Sequence, residues 1–118
     1  MNMASDRTAL ELAHIAAGQR TLIRLALEKT HEMLGQARSG NWDHISGLEK
    51  ERKLLLEQCF HIAIVPENAE IFSEALAIML HMNEELVALL NDAKASAAVQ
   101  RGSDRKTHKA LAQYLDIE

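Results

Sequence analysis

Cysteine occurs once in the 118 residues, proline once, and the aromatic side chains number four. A lone Cys59 excludes an internal disulfide and a cysteine cage for zinc, and fits a reducing compartment. One proline, few β-branched residues and abundant Leu, Ala, Ile and Met point to helix throughout and to an all-α fold. A basic excess is missing: the net charge is −4, which argues against a general nucleic-acid binder. Long apolar runs are missing too, since no stretch approaches the roughly 20 residues that span a bilayer. Asp6 and Glu11 stand where a signal peptide needs basic and then apolar residues, so a soluble cytoplasmic protein is expected, with no membrane contact.

At this length one domain is expected, an antiparallel helical bundle of three long helices plus a short C-terminal fourth helix. Helix 1 is predicted over about residues 5–38, opened by a Thr8–Glu11 capping box. Two apolar rows line it, Ile15, Leu22, Ala26, Met33 and Ala37 beside Ala16, Ile23, Leu27 and Leu34. Gly40 supplies a C-terminal glycine and Asn41 an N-cap, which predicts a tight reversal into helix 2 over about 42–64. Its seam is Ile45, Leu48, Arg52, Leu55, Cys59 and Ile62, and Pro66 ends it. The only tryptophan, Trp42, falls in the first turn, where its ring is expected to cover the corner between helices 1 and 2.

Helix 3 is predicted over about 67–99 with two apolar seams. One holds Phe72, Leu76, Met79, Asn83, Leu86, Leu90, Ala93 and Ala97; the other holds Ile71, Ala75, Ile78, Met82, Glu85 and Leu89. Arg101–Asp104 reads as a break before a short helix 4 over about 104–116, with Leu111, Tyr114 and Leu115 on its apolar side. Helix 4 is too short to hide the second seam firmly, so the row Ile71, Ala75, Ile78, Met82 and Leu89 is expected to receive an amphipathic partner helix. A second copy of the chain, giving a homodimer, or a stably docked helix 4 are the alternative occupants.

Catalytic signatures are sparse. No Gly-rich phosphate loop, nucleophile elbow or paired catalytic carboxylates occur, so an enzyme is not expected, nor is a cofactor. Glu11 with His14 and Glu28 with His31 have the spacing used in di-iron bundles, but lie about 25 Å apart on one helix and cannot share a metal. "HEMLG" from His31 to Gly35 has the outer frame of a histidine phosphotransfer motif, with Leu34 near the place of its lysine; a phosphotransfer module is the alternative function. Arg52 and Asn83 interrupt their seams with polar groups that fit a register contact, and Glu49 stands one turn from Arg52. From Lys94 to Lys109 five basic residues face only Asp104, a basic end on an acidic chain.

"MLGQARSGNWDHISGLEKERKLL", "LHMNEELVALL" and "HKALAQYLD" follow one another in an order and spacing that resemble the flagellar export chaperone FliT family, from about Ile23 to Asp116. The resemblance implies a small helical chaperone that binds the C-terminal region of the filament-cap protein. Such a chaperone prevents premature assembly and delivers its client to the export ATPase complex; in some members it also restrains a flagellar transcription regulator. It further implies a docking role for Tyr114 toward export components, a scaffold of Trp42, Glu49, Arg52 and Asn83, and a terminal helix that covers the client groove.

Overall fold

Ala16, Gln19, Ile23, Ala26, Thr30, Met33 and Ala37 alternate in steps of three and four along the first helix, and every one of them is buried. That spacing keeps one stripe of the helix against its neighbours from Ala16 to Ala37, while residues 6–14 stand exposed. In the computed structural model, which describes the backbone of residues 3–115 and the side chains of 6–102, 105, 106 and 109, this helix is α1 (Met3–Arg38). Asp6 lies in its first turn, near the positive end of the helix dipole, and Thr8 sits inside the helix rather than capping it.

The expected reversal follows α1. Gly40 adopts φ 75°, its N–H donates to Ala37 O at 3.1 Å, and the Asn41 N–H donates to Gln36 O at 2.9 Å. These two bonds satisfy the last carbonyls of α1 in a Schellman arrangement, for which a residue without Cβ is best suited. Asn41 contributes no side-chain cap; a 3-10 turn, Trp42–His44, leads directly into α2 (Ile45–Cys59). Trp42 is half-buried there, at the corner between α1 and α2.

Helix 2 stops at Cys59, short of the predicted residue 64, and Ile62 is consequently exposed rather than part of a seam. Phe60 leaves the helix at φ −97°, ψ 7°, six residues before Pro66, and next to the proline Val65 takes extended backbone (φ −66°, ψ 143°). Gln19 of α1 receives this segment: its Nε2 donates to Ala63 O at 2.8 Å, and its Oε1 accepts from the Val65 N–H at 3.2 Å. Pro66–Asn68 form a second 3-10 turn, and α3 (Ala69–Leu115) follows.

α1 and α2 run in opposite directions, since Gln19 meets Ala63 while Lys29 meets Glu51 at 3.0 Å. α1 and α3 run the same way: Asn68 Nδ2 donates to Ala16 O at 2.9 Å, and Arg38 Nη2 reaches Glu85 Oε1 at 2.6 Å. The core between them gathers Ile23 and Ala26 from α1, Cys59 from α2, and Phe72, Ala75 and Met79 from α3. Phe60 closes one end edge-on to Phe72, with ring centroids 6.0 Å apart.

The chain divides into two compact units, 1–86 and 87–118. Within 87–118 the backbone is helical to Leu115, and the predicted break at Arg101–Asp104 with a separate fourth helix does not occur. A glycine inside a helix costs only about 1 kcal/mol against alanine. The alanines at 93, 95, 97 and 98 favour helix just before it, and Gly102 does not take the left-handed backbone that Gly40 needs.

The glycines separate these two roles. Gly40→Ala is expected to lower stability by about 1 kcal/mol because of its backbone alone, as nothing lies within 4 Å of a Cβ there. Gly35→Ala, helical and equally open, is expected to raise stability by up to about 1 kcal/mol. Thermal denaturation of the two variants reads both signs.

Candidate partner-binding surface

The buried stripe of α3 is Phe72, Ala75, Met79 and Met82, again in steps of three and four. It takes two residues from each of the predicted seams, because a helix that touches two neighbours buries the strip between the rows rather than either row. The row expected to stand open is therefore split. Ala75 and Met82 are each only 8% exposed and belong to the core, whereas Ile71 and Ile78 are 43% and 45% exposed. Leu89, in the second unit, is half-buried. The side chains of Leu111 and Tyr114 lie outside the described residues.

Ile71, Ile78 and Glu85 are seven residues apart and thus lie on one flank of α3. At Glu85 this flank is closed by the ion pair with Arg38 of α1; at Ile71 and Ile78 it is open. Leu76 and Leu80 stand exposed on the other flank. Instead of apolar surface on two opposite sides, α3 has one core face with an apolar rim on each side.

The scaffold residues act less uniformly than the resemblance implies. Arg52 and Asn83, the two polar interruptions, do meet: Arg52 Nη1 donates to Asn83 Oδ1 at 2.7 Å. The same nitrogen reaches Thr30 Oγ1 at 3.3 Å, and the Thr30 hydroxyl donates to Ala26 O at 3.0 Å, so one polar layer joins all three helices. A half-buried guanidinium served by two neutral oxygens keeps its charge while losing little conformational freedom, and it fixes which turns face each other. Glu49 is exposed and, among the described residues, forms no ion pair with Arg52; the two line a shallow pocket on α2 with Lys53, Leu56, Glu57 and Phe60. The Thr30 partner carries no separate sequence signal, being one more residue of a helical stripe.

The other chemistry stays local. His31 is exposed on α1, and Leu34, near the place of the phosphotransfer lysine, is buried in the core. Among the described residues no three His, Cys, Asp or Glu side chains converge as metal ligands. The Cys59 thiol donates to Gln19 O at 3.9 Å, and burial pushes its pKa up, which holds it as an unreactive thiol. Among the described residues no helix is long and apolar enough to cross a membrane.

Residues 20–116 match the family described as Flagellar protein FliT, and the chain belongs to that family of flagellar export chaperones. The match leaves residues 1–19 outside it. No curated protein and no solved structure matches the chain.

Met82→Glu tests the division of the split row. Burying a carboxylate in this core is expected to cost more than about 3 kcal/mol, read as a lower midpoint in urea denaturation followed by circular dichroism. An unchanged midpoint would put Met82 on free surface.

Proposed function

We propose that the chain is a flagellar type III export chaperone that binds the C-terminal region of the filament-cap protein, prevents its premature assembly and delivers it to the export apparatus. The observation that carries this reading is the exposed pair Ile71 and Ile78 beside a core already complete without them. Membership of the FliT family supplies the class of partner. An amphipathic client helix laid along this flank would bury both isoleucines, with apolar side chains one helical repeat apart on its own surface. Ala75 and Met82 support the strip from beneath rather than touching the client. Tyr114 is proposed as the contact for export components, the role that the family resemblance assigns to it, while Leu89 and Leu111 are proposed as further partner contacts within residues 87–118.

The phosphotransfer alternative draws no support from a family of chaperones, and no observation at His31 favours it. The cytoplasm is the compartment this reading requires, since the client is held there before export.

Each isoleucine is already partly covered, so its remaining burial is worth about 1 kcal/mol of the roughly 1.5–3 kcal/mol for a whole side chain. Replacing both by glutamate is thus expected to weaken binding at least about 30-fold, measured by calorimetry with a peptide from the cap protein's C-terminal region. The melting temperature should stay near that of the unaltered protein. Unchanged affinity in Ile71→Glu/Ile78→Glu would place the client elsewhere.

A further inference from the structure

Lys94, Arg101, Arg105 and Lys109 follow one another along α3 at steps of seven, four and four. At about 100° per residue these steps keep all four on one face, a stripe about 22 Å long. All four side chains are exposed. Lys106, also exposed, lies off the stripe.

Five of the eight cations in residues 1–86 have a polar partner, and Arg7, Lys50 and Lys53 have none among the described residues. There Arg20 bonds Asn68, Arg24 pairs with Glu28, Lys29 with Glu51, Arg38 with Glu85, and Arg52 bonds Asn83. Among the described residues no ion pair or hydrogen bond engages Lys94, Arg101, Arg105 or Lys109. Like charges four residues apart, as at 101, 105 and 109, weaken a helix by a few tenths of a kcal/mol per pair. The row therefore carries a cost that an anionic partner would turn into a gain.

We propose that this stripe is a docking surface for an acidic helical segment of a partner protein, with carboxylates spaced about one turn apart over some 22 Å. The inference stands apart from the client surface at Ile71 and Ile78, and neither needs the other. A protein segment fits better than a nucleic acid, because residues 87–109 contain no Phe, Trp or Tyr on which bases could stack. A lipid surface fits less well, as the residues between the cations are small or polar apart from Val99, without the aromatic or leucine anchors of interfacial helices.

The experiment uses the full chain and a fluorescein-labelled helical Glu/Ala peptide of matching length, followed by fluorescence anisotropy. Binding is expected to weaken at least tenfold between about 0.05 and 0.3 M salt. It is expected to be lost in Arg101→Glu/Arg105→Glu and reduced in the milder Lys94→Gln/Lys109→Gln, which keeps the helix intact should the first variant lose helicity. A single-stranded oligonucleotide and phosphatidylserine vesicles serve as the other arms. No peptide binding, undiminished binding by both variants, or tighter capture of the oligonucleotide or the vesicles would overturn the proposal.

Discussion

Everything in residues 1–86 is aligned by the contact between Gln19 and Asn68. Both are buried, Asn68 completely, and both are polar in places where the helical spacing asks for apolar side chains. Asn68 Nδ2 donates to Gln19 Oε1 at 3.1 Å as well as to Ala16 O, while Arg20 Nη1 donates to Asn68 Oδ1 at 3.0 Å. Gln19 in turn holds the backbone of residues 63 and 65. The segment between α2 and Pro66 is not helical, and backbone groups removed from water need partners. By meeting that need from α1, the pair also decides which turn of α1 faces the start of α3. The stripe Phe72, Ala75, Met79 and Met82 then points inward, and Ile71 and Ile78 are left on the rim.

The Thr30–Arg52–Asn83 layer repeats the logic nearer the middle of the core, and the Arg38–Glu85 pair does so at the far end. An apolar stripe alone tolerates slippage by a turn, because leucine, methionine and alanine contacts are not directional. The two layers that lie inside do not tolerate it, since a slipped register would bury donors and acceptors without partners. The surface available to a client is thus a consequence of polar contacts inside the protein. The exposed ion pair contributes less than the buried layers, as water screens it.

Much of this was legible in the residue pattern. The Gly40 reversal, the apolar stripe of α1 and the placing of Arg52 and Asn83 as polar interruptions follow from spacing and side-chain chemistry, and the structure joins the last two by a 2.7 Å bond. The end of α2 at Cys59 was not legible, because residues 60–65 are held outside the helix by contacts with a glutamine 46 residues before Val65. Gln19 itself looks like any polar residue on a long helix; only its distant partners distinguish it. The open row on α3 was misdrawn because periodicity identifies apolar rows but not the angle at which two neighbours meet them, so Ala75 and Met82 went inward. The Arg101–Asp104 break failed for a simpler reason: glycine weakens a helix without ending it unless the backbone turns left-handed.

If the Gln19–Asn68 contact governs the register, its loss must cost more than the hydrogen bonds it contains. Urea denaturation of Asn68→Ala measures this most directly. The account predicts a loss of about 3 kcal/mol, from the cavity together with the stranded Gln19 and Arg20 groups. A loss within about 0.5 kcal/mol, the range of an ordinary surface substitution, would show that apolar packing alone sets the arrangement and would contradict the account.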